Sequence, residues 1–272
     1  MPASPEADDD RCGLVTDDLV VNRDGAIATV LLNRPATHNA ITLAMYTALP
    51  MIMTDLASDP SVRVVVFRGA GTKAFASGAD ISEFERVRGD AVSARAYNEK
   101  VAAAERAIEE FPKPTIAMIH GYCIGGGAGL ALATDLRFGD EHTKVAITPA
   151  KLGLVYGLES TRRLVDLVGP ARAKWMLMSG EQIHAEDALR LGLLDELVPA
   201  DTLEDRTYDF ARLLTTRAQF SVRAAKTMVN RIVDGQRTDD ELTAHLRDSC
   251  FDTADYREGV RAFLEKRPPR FG

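Results

Sequence analysis

One stretch limits this chain more than any other. The apolar segment KPTIAMIHG leads into HGYCIGGGAGLALATDLRF, which spans His120 to Phe138. The first part reads as a strand buried on both faces. Gly125 to Gly127 read as a tight turn, and the rest reads as a helix to about Ala133. A row of glycines costs backbone entropy, so some demand must hold it in place. It is not a Walker loop, because GxxxxGK[ST] is absent. Nor is it the dinucleotide pattern GxGxxG, because Leu130 occupies the last glycine position. Two readings stay open: backbone N–H groups presented at the positive end of a helix, or close packing of that helix on its strand.

The rest of the chain supplies the context. LVVNRDGAIATVLLN, Leu19 to Asn33, reads as a hairpin around Asp24-Gly25. Thr42 is expected to cap a helix in which Pro50 predicts a kink or an early stop. VRVVVFRGA, Val62 to Ala70, is another doubly buried strand. GTKAFASGADISEF then reads as a loop entering a helix near Ser82, and Val92 to Glu110 as helical. LRFGDEHTKVAITP reads as two short strands, and SGEQIHAEDALRLGLLDELVP as a short helix and a strand. From Thr202 the pattern is helical to Glu265. Alternating strands and helices indicate an α/β core. The expected organisation is a disordered acidic leader at 1–17, a core at 18–201 and a helical region at 202–272.

Two loops now share one design. AFASGADISEF, Ala74 to Phe84, also follows a buried strand and leads into a helix. Its small residues let a ligand approach the backbone. Two such loops facing one another would each offer an N–H to one oxygen. Losing one donor of such an oxyanion hole costs roughly 100- to 1000-fold in rate.

Composition narrows the partners. With 272 residues, 46% hydrophobic, the chain can bury a large core. A net charge of −7 argues against nucleic acid as the main partner. Cys12, Cys123 and Cys250 are too scattered for a disulfide framework or a metal site, so no metal is expected and a reducing, cytoplasmic setting fits best. No apolar run reaches the length of a membrane span.

Six ordered pieces carry a family resemblance: LNRPATHNAIT, VVVFRGAGTKAFASGADISEF, KPTIAMIHGYCIGGGAGLALATDLRF, TPAKLGL, LVGPARAKWMLMSGEQIHAEDALRLGLLDELV and EGVRAFLEKR. Together they resemble the crotonase (enoyl-CoA hydratase/isomerase) superfamily from about Asp18 to Lys266. The resemblance implies a spiral of ββα units and a C-terminal helical region for trimerisation, in a homotrimer or a dimer of trimers. It implies an acyl-CoA thioester as substrate, and no cofactor beyond that coenzyme A moiety. It also implies that the Ala79 and Gly126 N–H groups polarise the thioester carbonyl and hold the charge of an enolate. Contacts to coenzyme A are implied near Arg34, Lys73, Asp80, Ile81, Phe263 and Lys266. Ala74 and Ala76 are implied as backbone contacts at the adenine end. Asp80 is also expected to cap the helix after its loop, and solvated charge is the competing reading for the basic residues.

The departures from that family matter as much. Hydratases of the family carry one glutamate in the helix after the glycines and a second before the LG turn. This chain has Gly129 and Pro149 there, and neither can transfer a proton. ITPAKLGLVYG resembles the methylmalonyl-CoA decarboxylase branch, with Thr148 and Tyr156 at matching places, although that branch can carry histidine where Ala79 stands. Loss of CO2 forms an enolate without a carboxylate base. Tyr156 is otherwise a half-buried aromatic with one hydrogen bond. Glu159 becomes a candidate base if its loop shifts; its competing role is an acid favouring a helix N-terminus. Three readings follow: a hydratase or isomerase by family, a malonyl-type decarboxylase by site residues, and a non-catalytic CoA-binding or assembly protein.

Overall fold

Asp24-Gly25 turns the chain as its spelling predicts. Strands β1 (Leu19–Asp24) and β2 (Ile27–Leu32) pair antiparallel with Asp24 opposite Ile27. Gly25 takes φ +55°, a conformation that favours glycine. The computed structural model describes residues 16–272, so the acidic leader expected at 1–17 lies outside the described residues up to position 15. Thr42 caps α1 (Leu43–Ser58), its hydroxyl accepting from Met45 N at 3.2 Å. Pro50 does not stop that helix. The buried face of Met45, Tyr46, Leu49, Met53 and Leu56 runs past it to Ser58, so tertiary packing outweighs the lost backbone donor.

From there the chain repeats one unit. Strand β3 (Val64–Gly69) is followed by the short β4 (Ala74–Ala76), a 3-10 turn at Ile81–Glu83, the single-turn α2 (Phe84–Val87) and α3 (Ala91–Glu109). Next come β5 (Thr115–Ile119), β6 (Tyr122–Ile124) and α4 (Gly126–Ala133). Then come β7 (Leu136–Asp140), β8 (Lys144–Ala146) and α5 (Leu158–Ser179), the last broken at Gly169-Pro170. In each unit the first strand enters one sheet and the second strand enters another. The six-stranded sheet runs β1-β2-β3-β5-β7-β10, where β10 is Glu196–Val198. The four-stranded sheet runs β4-β6-β8-β9, where β9 is Ile183–His184. Every pairing is parallel except β1 with β2 and β8 with β9. This is the expected α/β spiral of ββα units. The strands β4 and β6, three residues each, are too short to show alternation, which is why the sequence reads them as loop.

Strand parity sets the core. Val65, Phe67 and Ala117 face the large cluster with Tyr46, Phe75 and Ile108. Val64, Val66, Ile116 and Met118 face the other way, where α7 (Leu203–Thr215) covers them with Leu203 and Ala211. The helical region beyond position 202 therefore begins by folding back on the sheet. It continues through α8 (Gln219–Val233), α9 (Glu241–Ser249) and α10 (Ala254–Leu264); α6 (Ala185–Leu191) precedes β10. Among the described residues no helix is long and apolar enough to cross a membrane.

Candidate active site

The two small-residue loops do meet. Ala79 forms a single bridge with Ile41. The bonds of that bridge use its neighbours: Ile41 N donates to Gly78 O at 2.8 Å, and Asp80 N donates to Ile41 O at 2.9 Å. Alternation along an extended chain therefore turns the N–H of Ala79 the opposite way. It faces the first turn of α4, where Gly126 N has no intrahelical partner. A Cβ built on Gly126 would lie 3.3 Å from Ala79 N, so the two loops come together at this point.

The glycines divide the labour around that point. Gly78 (φ +116°) and Gly125 (φ +53°) make the turns in left-handed backbone. Gly127 serves packing, since a Cβ there would press 2.7 Å from the Ala76 Cβ. Both readings of the glycine row therefore hold, at different residues.

A cavity of about 780 Å³ opens beside the two donors. Its walls bring together Ala79, Ile81, Gly126, Thr148, Tyr156 and Glu159 from the sequence reading. Thr148 stands next to the turn, its hydroxyl 3.5 Å from where a Gly125 Cβ would sit. Tyr156 places its enclosed Oη, without a hydrogen-bond partner among the described residues, 3.2 Å from the Cβ position of Gly129. Burial keeps the Tyr156 phenol well above its usual pKa, so it remains an O–H donor. Glu159 lines the rim, and its Oε1 accepts from Arg106 at 2.6 Å.

The other expected binding residues lie outside this wall. Asp80 caps the turn at Ile81–Glu83, accepting from Ser82 N at 3.1 Å. The Ser82 hydroxyl and Arg34 hold its carboxyl below the usual range against the opposing effect of burial. Arg34 is committed to Asp80 at 2.8 Å and to Ala40 O at 2.7 Å. Lys73 is exposed. Ala74 and Ala76 are buried in β4, with the Ala74 carbonyl held by Asn39 Nδ2 at 2.8 Å. Phe263 is exposed on α10, and Lys266 follows that helix with φ +55°.

Several wall residues were missed in the sequence. Tyr46 from α1 abuts Gly126, and burial raises its phenol well above the usual pKa. Phe84 and Tyr97 cross edge to face at 6.1 Å, and the Arg88 guanidinium lies 4.8 and 4.9 Å from their centroids. Arg88 has no carboxylate within salt-bridge distance among the described residues. Glu105 from α3 is 1% exposed. Burial raises its pKa, while Ser160 and Arg163 oppose the rise. The available signal was a glutamate in the apolar stripe of α3, among Tyr97, Ala104 and Ile108.

His120 pairs with Asp140, Nδ1 to Oδ2 at 2.6 Å, away from the cavity wall. Cys123 is buried, and that burial pushes its thiol up to about 12.

Comparison with known proteins shows the family. The profile of the family described as Enoyl-CoA hydratase/isomerase matches residues 22–272. The crotonyl-CoA hydratase of Syntrophomonas wolfei is 31% identical over 94% of this chain and 98% of its own length. The (E)-benzylidenesuccinyl-CoA hydratase of Thauera aromatica is 34% identical over 90% and 95%. The crystal structure of an enoyl-CoA hydratase/carnithine racemase from Magnetospirillum magneticum superposes with a TM-score of 0.90 at 35% identity, covering 94% of this chain and 96% of that one. This chain belongs to the enoyl-CoA hydratase/isomerase family of the crotonase superfamily.

Proposed function

We propose that this family enzyme holds the carbonyl oxygen of an acyl-CoA thioester between Ala79 N and Gly126 N and works through the enolate formed there. The observation that carries the reading is the close approach of Ala79 and Gly126 on the wall of the cavity. Preorganised donors aimed at developing charge supply a large share of such catalysis.

The reaction that suits the wall best is loss of CO2 from a malonyl-type acyl group. The bond from the α-carbon to the carboxylate breaks. Its electron pair enters the thioester as the enolate, and CO2 leaves. The positions of both hydratase glutamates are taken by Gly129 and Pro149, so the acid–base pair of a hydratase is absent from those positions, and loss of CO2 needs no such pair. Tyr156 and Thr148 supply hydroxyl donors, and Arg88 supplies a cation with no carboxylate partner of its own among the described residues. Hydration or isomerisation is the second reading, favoured by the named activities of the relatives. Coenzyme A binding without turnover is the third.

Exposed Val229, Ile232, Val233, Phe263 and Leu264 on α8 and α10 suit a subunit face, in keeping with a homotrimer or dimer of trimers. The deciding experiment incubates the protein with malonyl-type and enoyl-type CoA esters and follows the products by mass spectrometry. CO2 loss that depends on Tyr156 supports the decarboxylase reading. Rapid hydration of crotonyl-CoA that survives Tyr156→Phe and Glu159→Gln defeats it, and tight binding with no turnover of any ester supports the third.

A further inference from the structure

Glu105 belongs to none of the pieces that carry the family resemblance, yet it stands on the cavity wall. Its two oxygens have different lives. Oε2 accepts from Ser160 Oγ at 2.5 Å and from Arg163 Nη1 at 2.7 Å. Arg163 donates its other arm to Glu109 Oε2 at 2.6 Å. Oε1 accepts from nothing among the described residues and points at Gly129, where any Cβ would collide with it. Tyr156 Oη flanks the same point. The missing side chain of Gly129 and the carboxyl of Glu105 therefore occupy one space, approached from two different helices.

We propose that Glu105 is the proton-transfer group of this site, delivering a proton from Oε1 to the α-carbon of the enolate, and that Gly129 is a glycine because that oxygen needs the room. This rests on the functional reading above and adds the residue which that reading lacks. In the protonation step the Oε1–H bond breaks and a C–H bond forms at the α-carbon. The enolate pair returns to the thioester as C=O. The carboxylate left behind is paired with Arg163, and water restores its proton. Run backwards, the same step removes an α-proton from a saturated acyl-CoA, so no other reagent is needed.

The arrangement suits that task. Two fixed donors on Oε2 orient the carboxyl and leave one oxygen for chemistry, the logic of a positioned acid or base. Burial favours the acid form, and Arg163 and Ser160 favour the base form, so neither state is locked out. A purely structural ion pair joining α3 to α5 accounts for Oε2 and Arg163. It does not account for an unpartnered Oε1 on a cavity wall, nor for a glycine that yields its space.

The test is hydrogen exchange at the α-carbon of butyryl-CoA in D2O, read by mass spectrometry, alongside turnover of methylmalonyl-CoA. Glu105→Gln is expected to lose about 100-fold or more of the wild-type exchange rate. Gly129→Ala, which keeps every charge but forces Oε1 aside, is expected to lose a similar factor; it carries the test if Glu105→Gln fails to fold. Glu109→Gln, which removes a carboxylate from the same arginine outside the cavity, should stay within about threefold of wild type. Exchange by folded Glu105→Gln or by Gly129→Ala within about threefold of wild type overturns the assignment. So does a loss in Glu109→Gln as deep as that in Glu105→Gln. Wild-type protein that binds these esters but neither exchanges nor converts them overturns the functional reading itself, whatever the variants do.

Discussion

Among the arginine–glutamate pairs that join helices α3 and α5, two differ chiefly in depth. Glu105 and Arg163 leave only 2% and 4% of their side chains exposed. One step along α3, Arg106 meets Glu159 with 48% and 44% exposed. Successive helix residues point roughly 100° apart, so Glu105 turns inward where Arg106 turns outward. Each glutamate has one oxygen committed to an arginine and lines the same cavity. About half of each outer side chain is open to water, which screens the pair. The inner pair is fixed by packing and by Ser160. Depth, not nearness to a recognisable motif, separates a positioned acid from a rim charge.

That contrast breaks most visibly in stability. Arg163→Ala strips the fully buried Glu105 of its arginine and Glu109 of one of two, and should lower the unfolding free energy by about 3–5 kcal/mol. Equilibrium unfolding in urea measures this, and a loss under about 1 kcal/mol would show that the buried pair is not a distinct case.

The next largest effect is in pH. Glu105 has a folded pKa raised above its ordinary 4.5, so the folded state holds a proton that the unfolded state releases. Its contribution is fully present below 4.5 and is lost as pH rises through the raised value, with a slope of at most about 1.4 kcal/mol per pH unit. Glu109 runs the other way: burial raises its pKa, but Arg163 and Arg162 more than offset this and lower it. Its stabilisation is present above 4.5 and lost as pH falls through the lowered value. Subtracting the pH–stability curve of Glu105→Gln from that of wild type should isolate the first trend; a flat difference above 4.5 would contradict it.

The smallest effect is expected at the rim. Arg106→Ala should cost about 0–1 kcal/mol, as exposed pairs do. A thermal shift as large as that of Arg163→Ala would erase the difference between the pairs.

The hairpin at Asp24-Gly25, the cap at Thr42 and the two small-residue loops were legible because each depends on residues adjacent in the chain. Thr148, Tyr156 and Glu159 were legible by their place beside TPAKLGL, and the fold brings all three to one cavity. The run of α1 past Pro50 was not legible, because only the face packed beneath it holds the helix together. Arg88 and Glu105 were hidden for a related reason. An arginine in a polar turn and a glutamate in a long helix look like ordinary surface charge until the walls close round them.

By itself the sequence determined much of the local geometry of this protein: the longer strands, the turn at Asp24-Gly25, and that Gly126 can start a helix with a free N–H. It also determined an absence, since Gly129 and Pro149 carry no proton-transferring group. Only the tertiary structure decided what fills that absence. Bringing α3 against α4 sets Glu105 into the space that Gly129 leaves. No local pattern encodes such a meeting, because it depends on how two separate helices pack and on which side chains that packing removes from water.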